Sequence, residues 1–275
     1  MPEGDTLFRL ADGLRPQLVG AVVQSLWVRR AEFALGGFVG TRISRVEALG
    51  KNLLVHFDHG AVLHAHLGMP GKVRSFPACS APRLPASQIA FSLHTDRTVA
   101  VGLRVPRVRL LSEARLAQDP LLQGLGPDLL AGEFPLEAAT EGLARAGPTP
   151  IGVALMDQRI VAGIGNVYKS EVLFRQRLNP FAPVAALTSA TLSLLLADAR
   201  TVMLANVQKR VGSMGPMDPW ARHHRRTREG FAAPLAVYGR QGKACFTCRG
   251  AIEMRRQGDQ LRSTYYCAQC QQVCA

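Results

Sequence analysis

The chain has 275 residues, of which 47% are hydrophobic and 6% aromatic, and this length suits two compact domains with sizeable cores. Lysine and arginine total 33 against 20 acidic residues, so the formal net charge is +13. Soluble proteins this basic usually bind a polyanion, most commonly nucleic acid. The absence of a long apolar run or a signal peptide in the sequence argues against a membrane protein and predicts a cytoplasmic one.

The first residues are Met-Pro-Glu-Gly-Asp, so removal of Met1 would place the secondary amine of Pro2 at the terminus, beside the carboxyl group of Glu3. A chain-terminal amine titrates near ~8 and a lysine side chain near ~10.4, so more of the terminal amine is unprotonated at neutral pH. When such an amine adds to an aldehyde-like carbon it gives an iminium, which withdraws electrons without a cofactor. The alternative is that the segment only starts a helix, with Glu3 and Asp5 near its positive end.

Apolar residues spaced three and four apart predict an amphipathic helix over residues 4–16, ending near Gly13 and Pro16. Short runs of β-type residues separated by turn formers follow, and they predict an antiparallel sandwich or barrel. The predicted strands are residues 22–28, 42–48, 52–57, 61–67, 89–93, 98–102 and 105–111. Residues 77–86 contain three prolines and predict a mobile loop between two strands.

After Pro127 the sequence is rich in alanine and leucine, which favour helices. The predicted helices are residues 133–146, 150–158, 167–176 and 188–206. Residues 207–235 hold glycines, prolines and many basic residues without periodicity, and they predict a long basic loop. Loops of this length in compact domains usually have a function.

Between the second and third of these helices, Gly163 and Gly165 predict positive-φ turns that end one helix, and Asn166 is a suitable N-cap for the next. The start of a helix favours a bound anion such as a DNA phosphate. Arg159 and Lys169 lie nearby in the sequence and could support it with charge. The alternative is an ordinary corner between two helices without a ligand.

Five of the six cysteines lie in the last 31 residues, which indicates a metal site rather than a secreted disulfide framework. Cys245 and Cys248 form one C-x2-C pair, and Cys267 and Cys270 form another 18 residues later. Four thiolates fill the tetrahedral shell of one Zn²⁺ and leave no position for water, so the predicted zinc is structural. Cys274 is an alternative to Cys270 with a less suitable spacing. The strands of the predicted hairpin between the pairs are residues 251–254 and 260–266.

Over nearly its full length the chain resembles the formamidopyrimidine-DNA glycosylase and endonuclease VIII family of base-excision repair enzymes. The matching motifs, in order, are Pro2-Glu3-Gly4, Leu49-Gly50-Lys51-Asn52-Leu53-Leu54, His66-Leu67-Gly68-Met69-Pro70-Gly71-Lys72, the segment 163–168, Val237-Tyr238-Gly239-Arg240 and Arg262-Ser263-Thr264-Tyr265-Tyr266-Cys267.

The resemblance implies an α+β fold with three domains. Residues 1–128 would form an N-terminal antiparallel β-sandwich with a leading helix, and residues 129–235 a helical domain with a helix–two-turn–helix element and the basic loop. Residues 236–275 would form a zinc-ribbon hairpin. The protein would be a monomer with one structural Zn²⁺. It would act on damaged double-stranded DNA in the bacterial nucleoid, with single-stranded or bubble DNA as a further substrate form.

The resemblance also implies catalytic roles. Pro2 would attack C1′ of the damaged nucleotide, and Glu3 would protonate the sugar ring oxygen and help to open the ring. Lys51 would contact a phosphate or assist proton transfer beside the lesion. β-Elimination followed by δ-elimination would then cut both sides of the abasic sugar.

Further positions would contact DNA. Asn166 at its helix start and Arg262 on the hairpin would hold phosphates that flank the extruded base, with Arg159 and Lys169 as charge support. A basic cleft between the domains would hold the bent backbone. Met69 would fill the gap in the base stack, because extruding a base costs a few kcal/mol of stacking that an inserted side chain partly restores.

The chain departs from both branches of the family in its wedge residues. The purine-lesion branch carries an Arg-Phe-Gly wedge, whereas residues 102–106 here contain no phenylalanine, and the endonuclease VIII wedge of three bulky side chains on one loop is also absent. Asp5 makes the chain start more like bacterial endonuclease VIII. We therefore predict a bifunctional glycosylase and AP lyase for oxidised pyrimidines. The alternatives are a formamidopyrimidine or 8-oxoguanine glycosylase, and a non-catalytic binder of abasic or damaged DNA.

Overall fold

A computed structural model describes residues 2–29, 35–80, 82, 84–208 and 235–272. These residues form two compact units, of which the first ends at Gln123 and the second begins at Gly124. Most of the predicted basic loop, residues 209–234, lies outside the described residues, and so does Cys274. The three-domain division proposed from the sequence remains a prediction.

The first unit contains a leading helix, eight strands and two short helices. They are α1 (Gly4–Leu18), β1 (Val23–Val28), β2 (Ile43–Leu49), β3 (Asn52–Phe57), β4 (Ala61–His66), β5 (Lys72–Pro77), β6 (Ile89–Thr95), β7 (Thr98–Leu103), β8 (Arg107–Ser112), α2 (Glu113–Ala117) and α3 (Pro120–Gln123). Two antiparallel sheets result, with strand orders β1-β6-β7-β5 and β2-β3-β4-β8.

Both sheets and α1 share one hydrophobic core, which confirms the predicted antiparallel sandwich with a leading helix. The apolar face of α1 packs against β2 and β3. All six residues of β3 are buried, so this central strand is covered on both faces. A strand covered on both faces has no polar alternation, which explains its nearly continuous apolar sequence.

The prediction that α1 ends near Gly13 and Pro16 was wrong, because the helix continues to Leu18 with Pro16 inside it. Proline lacks an N–H and disfavours a helix interior. Leu14 and Leu18 are both almost completely buried in the sandwich core. Burial of these two side chains, at roughly 1.5–3 kcal/mol each, offsets the cost of the proline.

One strand, β5, was missing from the prediction, which had no strand between residues 67 and 89. It pairs antiparallel with β7 at the edge of the first sheet, from Lys72↔Leu103 to Pro77↔Thr98. Pro77 ends the strand, and an edge strand tolerates proline where a central one does not. In the segment predicted as a mobile loop, the described residues include two 3-10 turns, Ala78–Ser80 and Ala86–Gln88.

The second unit combines helices with a two-stranded hairpin, as predicted. Its elements are α4 (Leu136–Ala144), α5 (Ile151–Ala154), α6 (Asn166–Arg175), α7 (Ser189–Gln208), β9 (Ile252–Gln257) and β10 (Arg262–Cys267). The helix predicted over residues 150–158 is only one turn, α5, and is followed by turns up to α6. Gln158 stabilises these turns, because its side-chain amide donates to the Ile164 carbonyl and its Oε1 accepts from Gly163 N.

By length and composition, α7 could cross a membrane over Ser189–Val207, in contrast to the sequence expectation. It packs against α4 and α6, however, and its buried residues include Leu195, Leu196 and Met203. Arg200 on this helix donates to backbone carbonyls of residues 129, 131 and 132. These contacts identify α7 as the core helix of the second unit.

The buried histidine of β4 makes the stability of the first unit dependent on pH. Burial and the nearby Arg109 guanidinium lower the pKa of His64 to about 4. Between this value and the ordinary 6.5, the unfolded chain binds a proton that the folded chain does not. The free energy of unfolding therefore falls as the pH is lowered through this window, by up to roughly 3 kcal/mol.

We expect His64→Gln to remove most of this dependence when urea unfolding is measured from about pH 7 to about pH 4. His94→Gln serves as the matched control, because His94 lies on the other sheet and bonds Ser92. If the His64→Gln variant loses as much stability with acid as the wild type does, this assignment is wrong.

Candidate functional site

Pro2 and Glu3 are both buried at the start of α1. Glu3 is the N-cap residue, and its carbonyl accepts hydrogen bonds from Thr6 N and Leu7 N at 3.0 and 3.2 Å. Its side chain makes no capping hydrogen bond. Asp5, rather than Glu3, forms an ion pair within the helix, with Arg9 at 2.9 Å. Helix capping therefore does not account for the Glu3 carboxyl group.

Helix α1 runs antiparallel to strand β2. Two hydrogen bonds fix the alignment, from Gly20 N to Ile43 O at 2.8 Å and from Arg15 Nε to Val46 O at 3.3 Å. Positions nearer the N-terminus of α1 therefore lie beside positions nearer the C-terminus of β2.

This alignment brings the chain start to the turn between β2 and β3. The helical rise from Leu18 back to Glu3 is about 22 Å, and β2 from Ile43 to Leu49 extends about 20 Å, with Gly50 and Lys51 directly after it. Pro2 and Glu3 therefore lie at the same end of the second sheet as Lys51. The alignment therefore directs the chain start towards the end of β2 that precedes Lys51, although these residues are far apart in the sequence.

The same edge contains a histidine to which the sequence analysis gave no role. Gly50 has a φ of +56° in the turn before Lys51, and the next residue, Asn52, pairs with His66 on β4. His66 in turn pairs with Arg107 on β8. Burial, with Arg107 and Lys51 nearby, lowers the pKa of His66 below its ordinary value. The edge therefore combines two cations with a neutral imidazole.

Met69 lies in the tight turn between β4 and β5, and 69% of its surface is exposed. Gly68 has a φ of +57°. A Cβ at Gly71 would lie 2.1 Å from the Leu67 carbonyl oxygen, so only glycine fits there. The two glycines hold an exposed methionine on a constrained turn, which suits the predicted insertion of its side chain into a base stack.

A basic cavity of about 490 Å³ adjoins the turn between β7 and β8. Four arginines line it, and none of its lining residues is acidic. They are Arg29, Arg104, Arg107 and Arg109. The sequence analysis noted the missing phenylalanine in this turn but did not identify the arginines as a group. Three of them lie between residues 104 and 109, whereas Arg29 follows the distant strand β1.

In the second unit, the turn before α6 differs from the prediction. Gly163 has the expected positive φ of +104°, but Gly165 is extended at −122° and is itself the N-cap residue. Asn166 is the first helical residue, so its predicted role as N-cap was wrong. Its Nδ2 donates to the Ser263 carbonyl on β10 at 2.7 Å, and its Oδ1 is buried without a hydrogen-bond partner in the described structure.

The basic residues predicted near α6 differ in exposure. Arg159 is exposed and makes a bidentate contact with Asp157, with a shortest distance of 2.6 Å. Arg262 is half-buried at the start of β10, and its guanidinium donates to Gln260 Oε1. Both guanidinium groups are held by neighbours two residues away in the sequence.

Lys169 is fully buried, in contrast to the prediction of charge support for a bound phosphate. Its Nζ donates to Thr264 Oγ1 at 2.7 Å and to the Ser263 carbonyl at 3.3 Å. The lysine therefore attaches the hairpin to α6. A buried ammonium is costly unless it is hydrogen-bonded, and these bonds meet that need.

Glu171 is a buried residue on α6 to which the sequence analysis gave no role. Its carboxylate accepts hydrogen bonds from the backbone N–H groups of Ala236, Val237 and Tyr238 at 2.8–2.9 Å. Burial raises the pKa of Glu171, and the three N–H groups act in the opposite direction. The available signal was an acidic residue five positions after Asn166 in the predicted helix.

The four predicted cysteine ligands come together in the second unit. All four sulfur atoms lie within 4.8 Å of one another. The Sγ atoms of Cys245 and Cys270 are 3.9 Å apart, and those of Cys248 and Cys267 are 3.4 Å apart. None of the four forms a disulfide. Zn–S bonds of about 2.3 Å in a tetrahedron place sulfurs about 3.8 Å apart, so the cluster fits a tetrahedral metal site.

Two family descriptions cover most of the chain. Residues 1–108 match the Formamidopyrimidine-DNA glycosylase N-terminal domain, and residues 125–216 match the Formamidopyrimidine-DNA glycosylase H2TH domain. The chain is 35% identical to a "Probable endonuclease 8 2" of Streptomyces coelicolor, over 98% of this chain and 94% of the relative. It is 33% identical to the "DNA-(apurinic or apyrimidinic site) lyase Nei2" of Mycolicibacterium smegmatis, over 98% and 99%.

Solved structures of the same family also match nearly the whole chain. The MutM (Fpg) protein from Thermus thermophilus matches with a TM-score of 0.75 and 29% identity, covering 98% of each chain. Lactococcus lactis Fpg, in complex with DNA that contains an abasic site, shares the fold with a TM-score of 0.79 at 21% identity, over 99% of this chain and 100% of the other. The chain therefore belongs to the formamidopyrimidine-DNA glycosylase and endonuclease VIII family of base-excision repair enzymes.

Proposed function

We propose that this protein is a bifunctional DNA glycosylase and AP lyase that removes oxidised pyrimidines by β,δ-elimination. The observation that supports the proposal is the antiparallel alignment of α1 with β2, which directs Pro2 and Glu3 towards the turn that contains Lys51. Two relatives, one named as a probable endonuclease 8 and one as an AP lyase, support it.

The chemistry requires removal of Met1. The amine of Pro2 then attacks C1′ of the damaged nucleotide and displaces the base, while Glu3 donates a proton to the ring oxygen as the sugar opens. The resulting iminium acidifies the C2′ proton, so that elimination of the 3′-phosphate and then of the 5′-phosphate follows. Lys51 at the neighbouring turn contacts a flanking phosphate or assists proton transfer.

The partner is damaged double-stranded DNA, which we infer from the net charge of +13 and from the DNA complex of the Lactococcus relative. Met69 fills the gap left by the extruded base. The start of α6 favours a phosphate through its dipole, with Arg159 and Arg262 as further cations in the second unit. The buried Lys169 contributes to DNA binding indirectly, because it holds the hairpin against α6. Asn166 contributes by attaching the start of α6 to β10. We expect a monomer that acts in the cytoplasm, at the nucleoid.

For the lesion, two candidates remain. The absence of phenylalanine from residues 102–106 favours oxidised pyrimidines, whereas several relatives named formamidopyrimidine-DNA glycosylase, at 30–33% identity, favour the purine alternative. We expect faster cleavage of a thymine-glycol duplex than of an 8-oxoguanine duplex at equal enzyme concentration. The reverse preference would assign the enzyme to the purine branch.

The metal is Zn²⁺, and we assign it a structural role. Cys245, Cys248, Cys267 and Cys270 would hold it, and four thiolates leave no site for a reacting water. The zinc would keep the hairpin folded and so present Arg262 to the DNA.

A change at the chain start tests the proposed nucleophile. One glycine inserted between Met1 and Pro2 turns the proline nitrogen into an amide and moves the free amine by one residue. We expect borohydride trapping with abasic DNA to fall by about 100-fold or more, because misplacement of even ~1 Å costs this much. Pro2→Gly should also lose trapping, while DNA affinity stays near the wild-type value in both variants.

Intact mass of the wild type first establishes whether Met1 is removed. If the processed wild type forms no covalent adduct, the non-catalytic binder becomes the better description. Full trapping by the glycine-insertion variant would remove Pro2 from its role.

The hairpin is tested by Cys267→Ser, which removes one of four metal ligands. We expect bound zinc to fall from about one equivalent towards zero and DNA affinity to drop by roughly tenfold or more, since metal binding and hairpin folding are coupled. Cys79→Ser is the matched control, because Cys79 is exposed and lies in the first unit. Unchanged DNA affinity in a zinc-free Cys267→Ser protein would contradict the proposed role of the hairpin.

A further inference from the structure

A continuous chain of hydrogen bonds crosses the second sheet towards its catalytic edge. Asp119 Oδ2 accepts from Arg109 Nη1 at 2.5 Å, and Arg109 Nη2 contacts His64 Nδ1 at 2.9 Å. His64 Nε2 contacts Asn52 Oδ1 at 2.9 Å, and His66 Nδ1 contacts the same oxygen at 3.2 Å. Asp119, His64 and Asn52 are buried, so this polar chain lies inside the fold.

The Arg109 guanidinium and the Asn52 amide determine which atom donates and which accepts in each hydrogen bond of the chain. A guanidinium only donates, so the Nδ1 atom of His64 must accept from Arg109 and its Nε2 must carry the hydrogen. Asn52 Nδ2 donates to the Leu49 carbonyl at 3.1 Å, which identifies the other side-chain atom as the oxygen. That oxygen accepts from both histidines. His66 must therefore carry its hydrogen on Nδ1.

One tautomer of His66 follows. With Nδ1–H bound to Asn52, the Nε2 atom of the neutral ring has a lone pair and can accept a proton. The charged groups around it are Lys51 before β3, Arg107 and Arg109 on β8, and Asp119 before α3. Lys51 and Arg107 are the nearest, and both disfavour a protonated ring. The imidazole is therefore the neutral base among cations that could hold phosphates.

We propose that Asp119, Arg109, His64 and Asn52 are positioning residues that hold His66 in its Nδ1–H tautomer, so that its Nε2 accepts the C2′ proton in the lyase step. The inference rests on the proposed lyase function. The alignment of α1 with β2 supports it, because this alignment directs Pro2 towards the end of the sheet where Asn52 and His66 pair.

The proton transfer balances without a further reactant. In the iminium formed between Pro2 and C1′, the C2′ proton moves to Nε2 of His66. The C2′–H electron pair forms a C1′–C2′ double bond, and the iminium π pair moves to the nitrogen to give an enamine. The enamine then expels the 3′-phosphate together with the C3′–O electron pair. His66⁺ finally releases its proton to solvent.

A split between trapping and cleavage tests the assignment of His66. His66→Gln retains Pro2, so we expect borohydride trapping of abasic DNA within about threefold of the wild type. Strand cleavage in single turnover should slow by roughly 100-fold or more, which is the range for loss of a general base. If cleavage and trapping are both unchanged, or if both fall together, His66 is not the proton acceptor.

The positioning residues are tested by the pH profile of cleavage. In Asn52→Asp a carboxylate replaces the amide oxygen and stabilises the protonated His66 ring. We expect the acid limb of the profile to move up by about one to two pH units. The new carboxylate would also raise the pKa of the Pro2 amine, so the pH profile of borohydride trapping, which needs this amine but not His66, is measured alongside and should move less than that of cleavage. A lower rate with an unmoved acid limb would show that Asn52 has only a structural role.

Two measurements keep the test independent of folding and of catalysis. Asp198→Asn is the matched control, because it removes a comparable Arg–Asp pair, with Arg175 at 2.8 Å in the second unit, and should leave the profile unchanged. Long-range ¹H–¹⁵N NMR of the wild type should show the Nδ1–H tautomer at His66. The Nε2–H tautomer there would overturn the proposal even if the lyase function holds, whereas a wild type that fails to trap would instead refute the proposed function.

Discussion

The antiparallel packing of α1 along β2 is the interaction on which the candidate site depends. Pro2 and Glu3 have no catalytic meaning unless their end of the helix reaches the edge of the second sheet. The apolar face of α1 sets this position by burying its leucines in the sandwich core. A slip of one residue would rotate the helix by about 100° and move it by about 1.5 Å, which would expose part of that face. Core packing thus fixes the location of the chain terminus.

The second unit uses buried polar groups where the first uses an apolar face. Asn166 and Lys169 attach α6 to β10, and Glu171 binds the backbone that leads into the hairpin. Buried charges are weak sources of stability, but their directional bonds specify one arrangement of neighbouring elements. The cysteine cluster has a different role, because it holds the two ends of the hairpin together. The cysteine cluster and the helix contacts therefore position different parts of the hairpin.

The fold was largely predictable from the sequence, because alternation and turn residues report local structure. Helix α1 was given too short, since local rules end it at Pro16 while long-range burial extends it to Leu18. The cysteine cluster was predictable because metal chemistry constrains spacing. The burial of Lys169 was not, since a lysine beside a helix start gives no sign of whether it faces a phosphate or a neighbouring strand. Only the position of β10 decides this.

The hydrogen-bond chain shows how two identical residues acquire different properties. His64 and His66 are two apart on β4 and so point to the same face of the sheet. His64 accepts from Arg109 within the fold, and burial with this cation lowers its pKa to about 4. It therefore stays neutral over the range in which a repair enzyme works. His66 lies at the edge and is less buried, so it can exchange a proton while the donor–acceptor order behind it is preserved. The sequence indicates that two histidines share one face of a strand. It does not indicate which of them contacts Arg109, because that residue is distant in the sequence.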